Sequence, residues 1–424
     1  MARTTTSADR LLALFRDNAR RVHARGLSHM RIEDQTITPG RITLGGRTVH
    51  NFGDCSYLGL GTDPRLSAGA KAAIDRFGTS YSSSIAYTAV PLYSDLKQRF
   101  EELMGASVVL APTTTLAHAA ALPVLVRTGD VVLMDSAVHN SVQMSAQLLI
   151  ASGIEVRPVP HGDHPVLDEM ISAALTESDG AVWYLADGVY SMSGASAPFE
   201  HLTSLLDTHP RLWAYVDDAH GFSWRGPNGS GLAVDRMGWH DRLIVSAGLA
   251  KGFGSAGGIV ASPNDELIDL VEVCGPPLTF GGPMTPPTLG AAIASADIHL
   301  SPEIDERQDA VARRIEAVLD GTEQLGIPLV SRDATPIFFV PVGRTDVMID
   351  VGEAMVEAGF YLNPAAWPAV PHRRAGLRFT VTASLGLDDI EAMLAQLHDH
   401  LQARGVLDRV VIDLRGSEPT IQPG

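Results

Sequence analysis

Residues 211–221 read "RLWAYVDDAHG". The stretch is apolar through Val216 and then turns to two carboxylates and a histidine. A short apolar run with aromatic and β-branched side chains, stopped by polar or small residues, is the pattern of a strand buried on both faces. The same texture recurs outward in both directions. Upstream it appears in "SVVLAP" (107–112), "DVVLMDS" (130–136) and "GAVWYLADGVYS" (180–191), and downstream in "RLIVSAGLAK" (242–251) and "GGIVAS" (257–262). Helical runs such as "HNSVQMSAQLLIASG" (139–153) lie between them. Strands alternating with helices predict an α/β fold around a mostly parallel sheet.

The alternation occupies the middle of the chain. The opening "ADRLLALFRDNARRVHARGL" (8–27) carries apolar residues at helical spacing and predicts an N-terminal helix. Beyond the proline-rich "CGPPLTFGGPMTPPTLG" (274–290) the texture changes to a long charged helix, the strand "PIFFVPV", a further helix, the strand "LRFTVTA" and a final helix. The expected organisation is an N-terminal arm with a helix and a short β segment (1–50), a large domain (51–287) and a smaller α+β domain (288–424). Neither an internal repeat nor a low-complexity segment interrupts it.

With 424 residues, 45% of them hydrophobic, the chain can bury a large core. No apolar run approaches the roughly 18–20 residues that span a bilayer, and "MARTTTSADR" lacks the apolar core of a signal peptide, so a cytoplasmic location is expected. Cys55 and Cys274 are too few and too far apart for a disulfide framework or a thiolate metal site, and no metal is expected. A net charge of −17 argues against nucleic acid as a partner. The first 50 residues run the other way, with nine arginines against four acidic residues. They read as an amphipathic basic arm that packs on another subunit or on the main body.

Ligands of a parallel sheet collect at the carboxyl ends of its strands. Polar clusters fall there at Thr113 to Thr115, Asp135 to His139, Asp187 to Ser193, Asp217 to His220, and Lys251, which predicts one shared site. Lys251 lies in "SAGLAKGFGSAGG" (246–258), and only Lys71 and Lys97 accompany it among 32 basic residues. A lysine can shed its proton and act as an amine nucleophile, which arginine cannot. All three lysines follow Ala or Leu, so none belongs to a Walker phosphate loop. There is neither a Gly-x-Ser-x-Gly elbow nor a His-Glu-x-x-His zinc motif. What remains is an amine, an Asp-x-x-His pair and hydroxyl residues near a helix start. An amine can form a Schiff base with an aldehyde, a carboxylate can keep a pyridine nitrogen protonated, and a helix N-terminus can hold a phosphate. Pyridoxal phosphate needs all three.

The motifs "NFGDCSYLGLG" (51–61), "DGVYSMSGASAP" (187–198), "VDDAHGFSWRGPNGSG" (216–231), "GLAKGFGSAGG" (248–258) and "LRFTVTAS" (377–384) resemble, in order and separation, the α-oxoamine synthases. That family has the aspartate aminotransferase fold, type I among pyridoxal phosphate enzymes, with a large domain on a mostly parallel seven-stranded sheet and a smaller C-terminal domain. Its members condense an α-amino acid with an acyl thioester, of coenzyme A or a carrier protein, and lose CO2 to give an α-aminoketone. The resemblance implies that Lys251 is the Schiff-base lysine and the base at the α-carbon. It implies Asp217 at the pyridinium nitrogen, His220 at the ring hydroxyl and His139 stacked on the ring. Thr113 and Thr114 would hold the phosphate, and Asp187 would be the acidic residue beside the cofactor. Arg378 would bind the substrate carboxylate, and Ser191 would help seat substrate or product. A homodimer with its site at the interface is implied as well.

The departures from the family pattern cluster around substrate and phosphate. Cys55 stands where an asparagine makes a second carboxylate contact. Gly248 stands where a threonine reaches the phosphate, the phosphate cup reads "PTTT" (112–115), Thr285 is a shifted counterpart of a partner-subunit hydroxyl, and Leu385 replaces a histidine. The acyl-facing loop is rewritten as "GTSYSSSIAYTAVP" (78–91). Two alternatives stay open: another pyridoxal phosphate reaction (transamination, aldol-type cleavage or decarboxylation), or a binding protein that keeps the fold without turnover.

Overall fold

In the computed structural model, which describes residues 7–162, 164–367, 369–370, 374–407, 410–411 and 420–421, the chain opens with helix α1 (Ser7–Ala24) and a hairpin of β1 (Arg41–Leu44) and β2 (Arg47–Asn51). Helices α2 (Pro64–Phe77) and α3 (Leu92–Met104) precede an alternating run. It comprises β3 (Ser107–Ala111), α4 (Thr114–Leu125), β4 (Val131–Asp135), α5 (Asn140–Ala151), β5 (Glu155–Val159), α6 (His164–Glu177), β6 (Val182–Asp187) and α7 (Phe199–Thr208). It continues through β7 (Leu212–Asp217), α8 (Leu232–Met237), β8 (Leu243–Gly248) and β9 (Gly258–Ser262). Helices α9 (Asp265–Cys274), α10 (Pro276–Phe280), α11 (Pro286–His299) and α12 (Glu303–Gln324) follow. The chain ends in β10 (Ile337–Gly343), α13 (Thr345–Glu357), β11 (Phe360–Tyr361), β12 (Asn363–Ala365), β13 (Ala375–Thr380), α14 (Leu387–Ala403), β14 (Val410–Val411) and β15 (Thr420–Ile421). None of the described helices is long and apolar enough to cross a membrane. The described residues form two compact units, one from 56–191 and 196–309, the other from 1–55, 192–195 and 310–424.

The first unit carries a seven-stranded sheet in the order β3-β9-β8-β7-β6-β4-β5. Every neighbouring pair is parallel except those of β9, which runs antiparallel to both β3 and β8. Successive strand residues point to opposite faces, and each face finds its own helices. Val109, Ile244 and Val260 enter one apolar cluster with side chains of α4, α5, α9 and α10. Val108, Leu110, Ile259 and Ala261 enter another with α2, α3 and α11. The unit is therefore three layers, α/β/α, and each fully buried Leu or Phe contributes roughly 1.5–3 kcal/mol. Helices α2 and α11 touch backbone to backbone, since a Cβ at Gly290 would stand 2.3 Å from the Gly69 carbonyl oxygen. That contact holds α11 in this unit, which consequently runs on to Asp309, beyond the change of texture at residue 288.

The second unit contains a three-stranded antiparallel sheet, β10-β13-β12, and a mixed sheet, β1-β2-β11. Thr380 at the end of β13 fastens the segment after β2. Its N–H donates to the Phe52 carbonyl at 2.8 Å, and its hydroxyl reaches the Phe52 and Asp54 carbonyls at 3.2 and 2.5 Å. Arg314 of α12 donates to the Leu385 carbonyl at 2.6 Å, at the turn into α14.

Candidate functional site

Thr113, Thr114, His139, Asp187, Asp217, His220 and Lys251 line one cavity of about 220 Å³ in the first unit. Asp187 ends β6 and Asp217 ends β7, and the two are register partners on adjacent parallel strands. His139 begins α5, and Thr113 begins α4. Each residue thus stands where a strand hands over to the next segment, and the parallel sheet brings them to one edge.

The start of α4 is built for an anion. The Thr113 hydroxyl caps the helix by accepting the Leu116 N–H at 3.1 Å. The N–H groups of Thr114 and Thr115 belong to the first turn, where no intrahelical acceptor exists, and the helix dipole adds positive potential. The backbone of β9 approaches closely, so that a Cβ at Gly258 would lie 2.6 Å from the Thr114 nitrogen. A Cβ at Gly248 would lie 2.7 Å from the Thr114 hydroxyl oxygen and 3.3 Å from the Ala219 methyl. The Thr114 hydroxyl therefore occupies the space that a threonine at 248 would need.

Asp217 is buried, and its Oδ2 receives the Nε2 of fully buried His118 at 3.0 Å. The Nδ1 of His118 meets the Tyr215 hydroxyl at 2.8 Å. Burial pushes the Asp217 pKa up, but His118, through charge and hydrogen bond, with the Lys251 charge and the Ala219 N–H, brings it below the ordinary carboxylate value. Its neighbour Asp187 goes the other way. Burial, followed by the charge of Asp217, raises it well above the ordinary value despite a hydrogen bond from His139. Two adjacent carboxylates are thus driven apart, one toward the ionised form and one toward the protonated form.

His139 is partly exposed. Its backbone N–H donates to both Asp187 oxygens at 3.0 Å, and its Nδ1 lies 2.7 Å from the Ser141 hydroxyl. Burial lowers its pKa, with the Asp217 charge opposing and that of Lys251 assisting, so the ring tends to the neutral form. His220 sets its Nδ1 against the Tyr57 hydroxyl at 2.7 Å.

Lys251 sits in the connection between β8 and β9, which are antiparallel. The loop closes on itself, with Leu249 N–H on the Gly257 carbonyl at 3.1 Å and Ser255 N–H on the Leu249 carbonyl at 2.9 Å. Gly254, at φ +76°, has backbone of residues 60 and 61 so close that a Cβ would lie 2.7 Å from it. Two residues beyond the lysine, Phe253 is fully buried and stacks on Phe100 with centroids 5.2 Å apart.

The remaining sequence candidates stand elsewhere. Ser191 lies in the loop beyond β6 and does not line the cavity. The hydroxyl of Thr285, ahead of α11, pairs with that of Thr288 at 2.8 Å. In the second unit, Arg378 of β13 is buried and its Nη2 lies 3.6 Å from the Cys55 sulfur. The Thr380 ties described above bring Cys55 to that strand, and Leu385 is buried in the same unit. The sequence reading missed His118, Tyr215 and Tyr57. The signals were available: His118 is one helical turn after Thr114, Tyr215 shares a strand face with Asp217, and Tyr57 lies inside a recognised motif.

A lysine amine, an ionised carboxylate and a helix N-terminus around one cavity fit pyridoxal phosphate, and the glycines of β8 and β9 let the start of α4 pack close against the sheet. Site and sheet together define a fold-type-I transferase. The chain belongs to the class I and II aminotransferase family, whose model matches residues 47–397, and within it to the α-oxoamine synthases. It is 31% identical to an 8-amino-7-oxononanoate synthase of Symbiobacterium thermophilum over 84% of this chain and 89% of that one. It is 29% identical to that of Herminiimonas arsenicoxydans over 88% of this chain and 95% of that one. In fold it is similar to a serine palmitoyltransferase from S. paucimobilis solved with a bound PLP-myriocin aldimine, at a TM-score of 0.85, 21% identity, and coverage of 95% of this chain and 100% of that one.

Proposed function

We propose that this chain is a pyridoxal phosphate-dependent acyltransferase that joins an α-amino acid to an acyl thioester and releases CO2 and thiol, giving an α-aminoketone. The observation that carries this is the meeting, in one cavity, of the Lys251 amine, the ionised Asp217 and the N-terminus of α4. When bound, pyridoxal phosphate supplies an aldehyde for the amine and a ring that accepts the electron pair left on the α-carbon.

Each residue then has a task set by its chemistry. The Lys251 Nζ would hold the cofactor's aldehyde and move the proton at the amino acid's α-carbon. The Asp217 carboxylate would keep a proton on the ring nitrogen, which strengthens the ring as an electron sink. His220, oriented by Tyr57, would face the ring hydroxyl oxygen. The neutral His139 ring offers a flat face to the cofactor. Thr113 and Thr114 hold the phosphate through first-turn N–H groups and the Thr114 hydroxyl. Asp187 fixes the start of α5 through the His139 N–H, its carboxyl pushed toward the protonated form by burial and by Asp217. Arg378 offers a planar fork of donors to the substrate carboxylate, with Cys55 and Ser191 as further substrate contacts. Pairing of two copies belongs to the same proposal. Met144, Leu148 and Phe280, 56, 46 and 86% exposed, are apolar side chains that a second copy would cover.

The test is to incubate the purified protein, loaded with pyridoxal phosphate, with single amino acids and acyl thioesters, and to measure free thiol and CO2. Thiol release that depends on both substrates is expected. Conversion of the cofactor to its amine form by an amino acid alone, without thiol release, would establish transamination instead.

A further inference from the structure

We propose that His118, fixed by Tyr215, is a positioning residue that holds the Asp217 carboxylate in place and in its ionised form for the cofactor's ring nitrogen. The inference rests on Asp217 being the partner of that nitrogen. Tyr215, His118 and Asp217 form a continuous chain at 2.8 and 3.0 Å; Tyr215 and His118 are fully enclosed, and Asp217, at the cavity wall, is 4% exposed.

The direction of the chain follows from the chemistry of its ends. An ionised Asp217 can only accept, so Nε2 of His118 carries the proton between them and donates it to Oδ2. The Tyr215 hydroxyl, kept protonated by burial and the nearby Asp217 charge, pairs with Nδ1 and fixes the ring in place. Asp217 Oδ1 accepts the Ala219 N–H at 3.1 Å, so both carboxylate oxygens are held. A buried carboxylate without such donors takes up a proton, and a protonated Asp217 would no longer stabilise a cation on the ring. His118 and Tyr215 come from different layers, α4 and β7, so the chain also couples the phosphate-binding helix to the strand that carries the nitrogen's partner.

Pyridoxal phosphate labelled with 15N in its ring, bound to the full-length protein, reports the protonation of that nitrogen directly. Its dissociation constant is measured in parallel. The parent protein is expected to show a protonated ring nitrogen. His118→Leu should move the resonance toward the unprotonated position and weaken cofactor binding about tenfold, the scale of one charge-assisted hydrogen bond. His118→Gln, which keeps an N–H near Nε2, should restore most of the parent signal. Tyr215→Phe, which removes a single oxygen, should shift it in the same direction by less. If His118→Leu does not melt cooperatively, Tyr215→Phe and His118→Gln decide. An unchanged resonance in His118→Leu or, failing that, in Tyr215→Phe overturns the proposal, provided Asp217→Asn shifts it. If Asp217→Asn also leaves the resonance unchanged, it is the assignment of Asp217 to the ring nitrogen that fails, and this proposal with it.

Discussion

The hydroxyl oxygen of Thr114 and the missing side chain of Gly248 share one space: a Cβ on the glycine would come within 2.7 Å of that oxygen. A side chain at 248 could enter that space only if the Thr114 hydroxyl moved.

Gly248→Thr alone should therefore destabilise the protein by about 1–3 kcal/mol through overpacking and weaken pyridoxal phosphate binding. Adding Thr114→Gly should recover most of both losses. The coupling in a double-mutant cycle, read from denaturant unfolding and from cofactor titration, checks this, and simple additivity would contradict it.

Lys251→Ala should lower turnover by roughly 10²–10⁴-fold, the range for removing a positioned acid–base group. Borohydride treatment followed by peptide mass spectrometry should attach the cofactor to Lys251 in the parent and to no peptide in the variant. Attachment at Lys71 or Lys97 would assign the site to another lysine.

Tyr57→Phe removes the hydroxyl that orients His220 at 2.7 Å. A cost of about 1 kcal/mol, or roughly fivefold in cofactor affinity, is expected with little change in thermal stability. Titration of the variant with pyridoxal phosphate, beside its melting curve, separates the two effects.

Stability should depend on pH through Asp218. Its side chain is fully enclosed, with Oδ2 accepting the Ala233 N–H at 3.0 Å and Oδ1 lacking a partner. Burial, opposed by the Ala233 N–H and reinforced by the Asp217 charge, pushes its pKa up from 3.8 to about 8. A group raised on folding contributes stability that is fully present below its unfolded pKa and is lost as pH rises through the folded one. Between pH 5 and 8 the parent should therefore lose on the order of a few kcal/mol relative to Asp218→Asn. Urea unfolding at several pH values checks it, and parallel profiles for the two proteins would refute it.

The sheet was legible because its strands are buried on both faces and so read as apolar runs, and the residues at their ends were legible for the same reason. Lys251, Asp217 and Asp187 each stand within three residues of a strand terminus. What escaped was whatever only packing reveals. His118 looks like any residue inside an alanine-rich helix until α4 lies over β7. The change of texture after the proline-rich stretch suggested a domain border, yet α11 belongs with α2, because Gly69 and Gly290 allow a backbone contact that no periodicity announces. The swap of Gly248 and Thr114 was visible as two separate oddities, and only the distance between them makes it one compensation.

The antiparallel pairing of β8 with β9 gives Lys251 a different mechanical status from its neighbours in the cavity. The helix-borne residues hang from one strand end each, whereas the lysine loop is anchored at both ends by hydrogen-bonded partners, Gly248 opposite Gly258. Displacing both ends of that loop requires breaking the sheet itself, and core strands belong to the most stable part of a domain. The reactive amine is thus carried on a loop tied to the sheet at both of its ends.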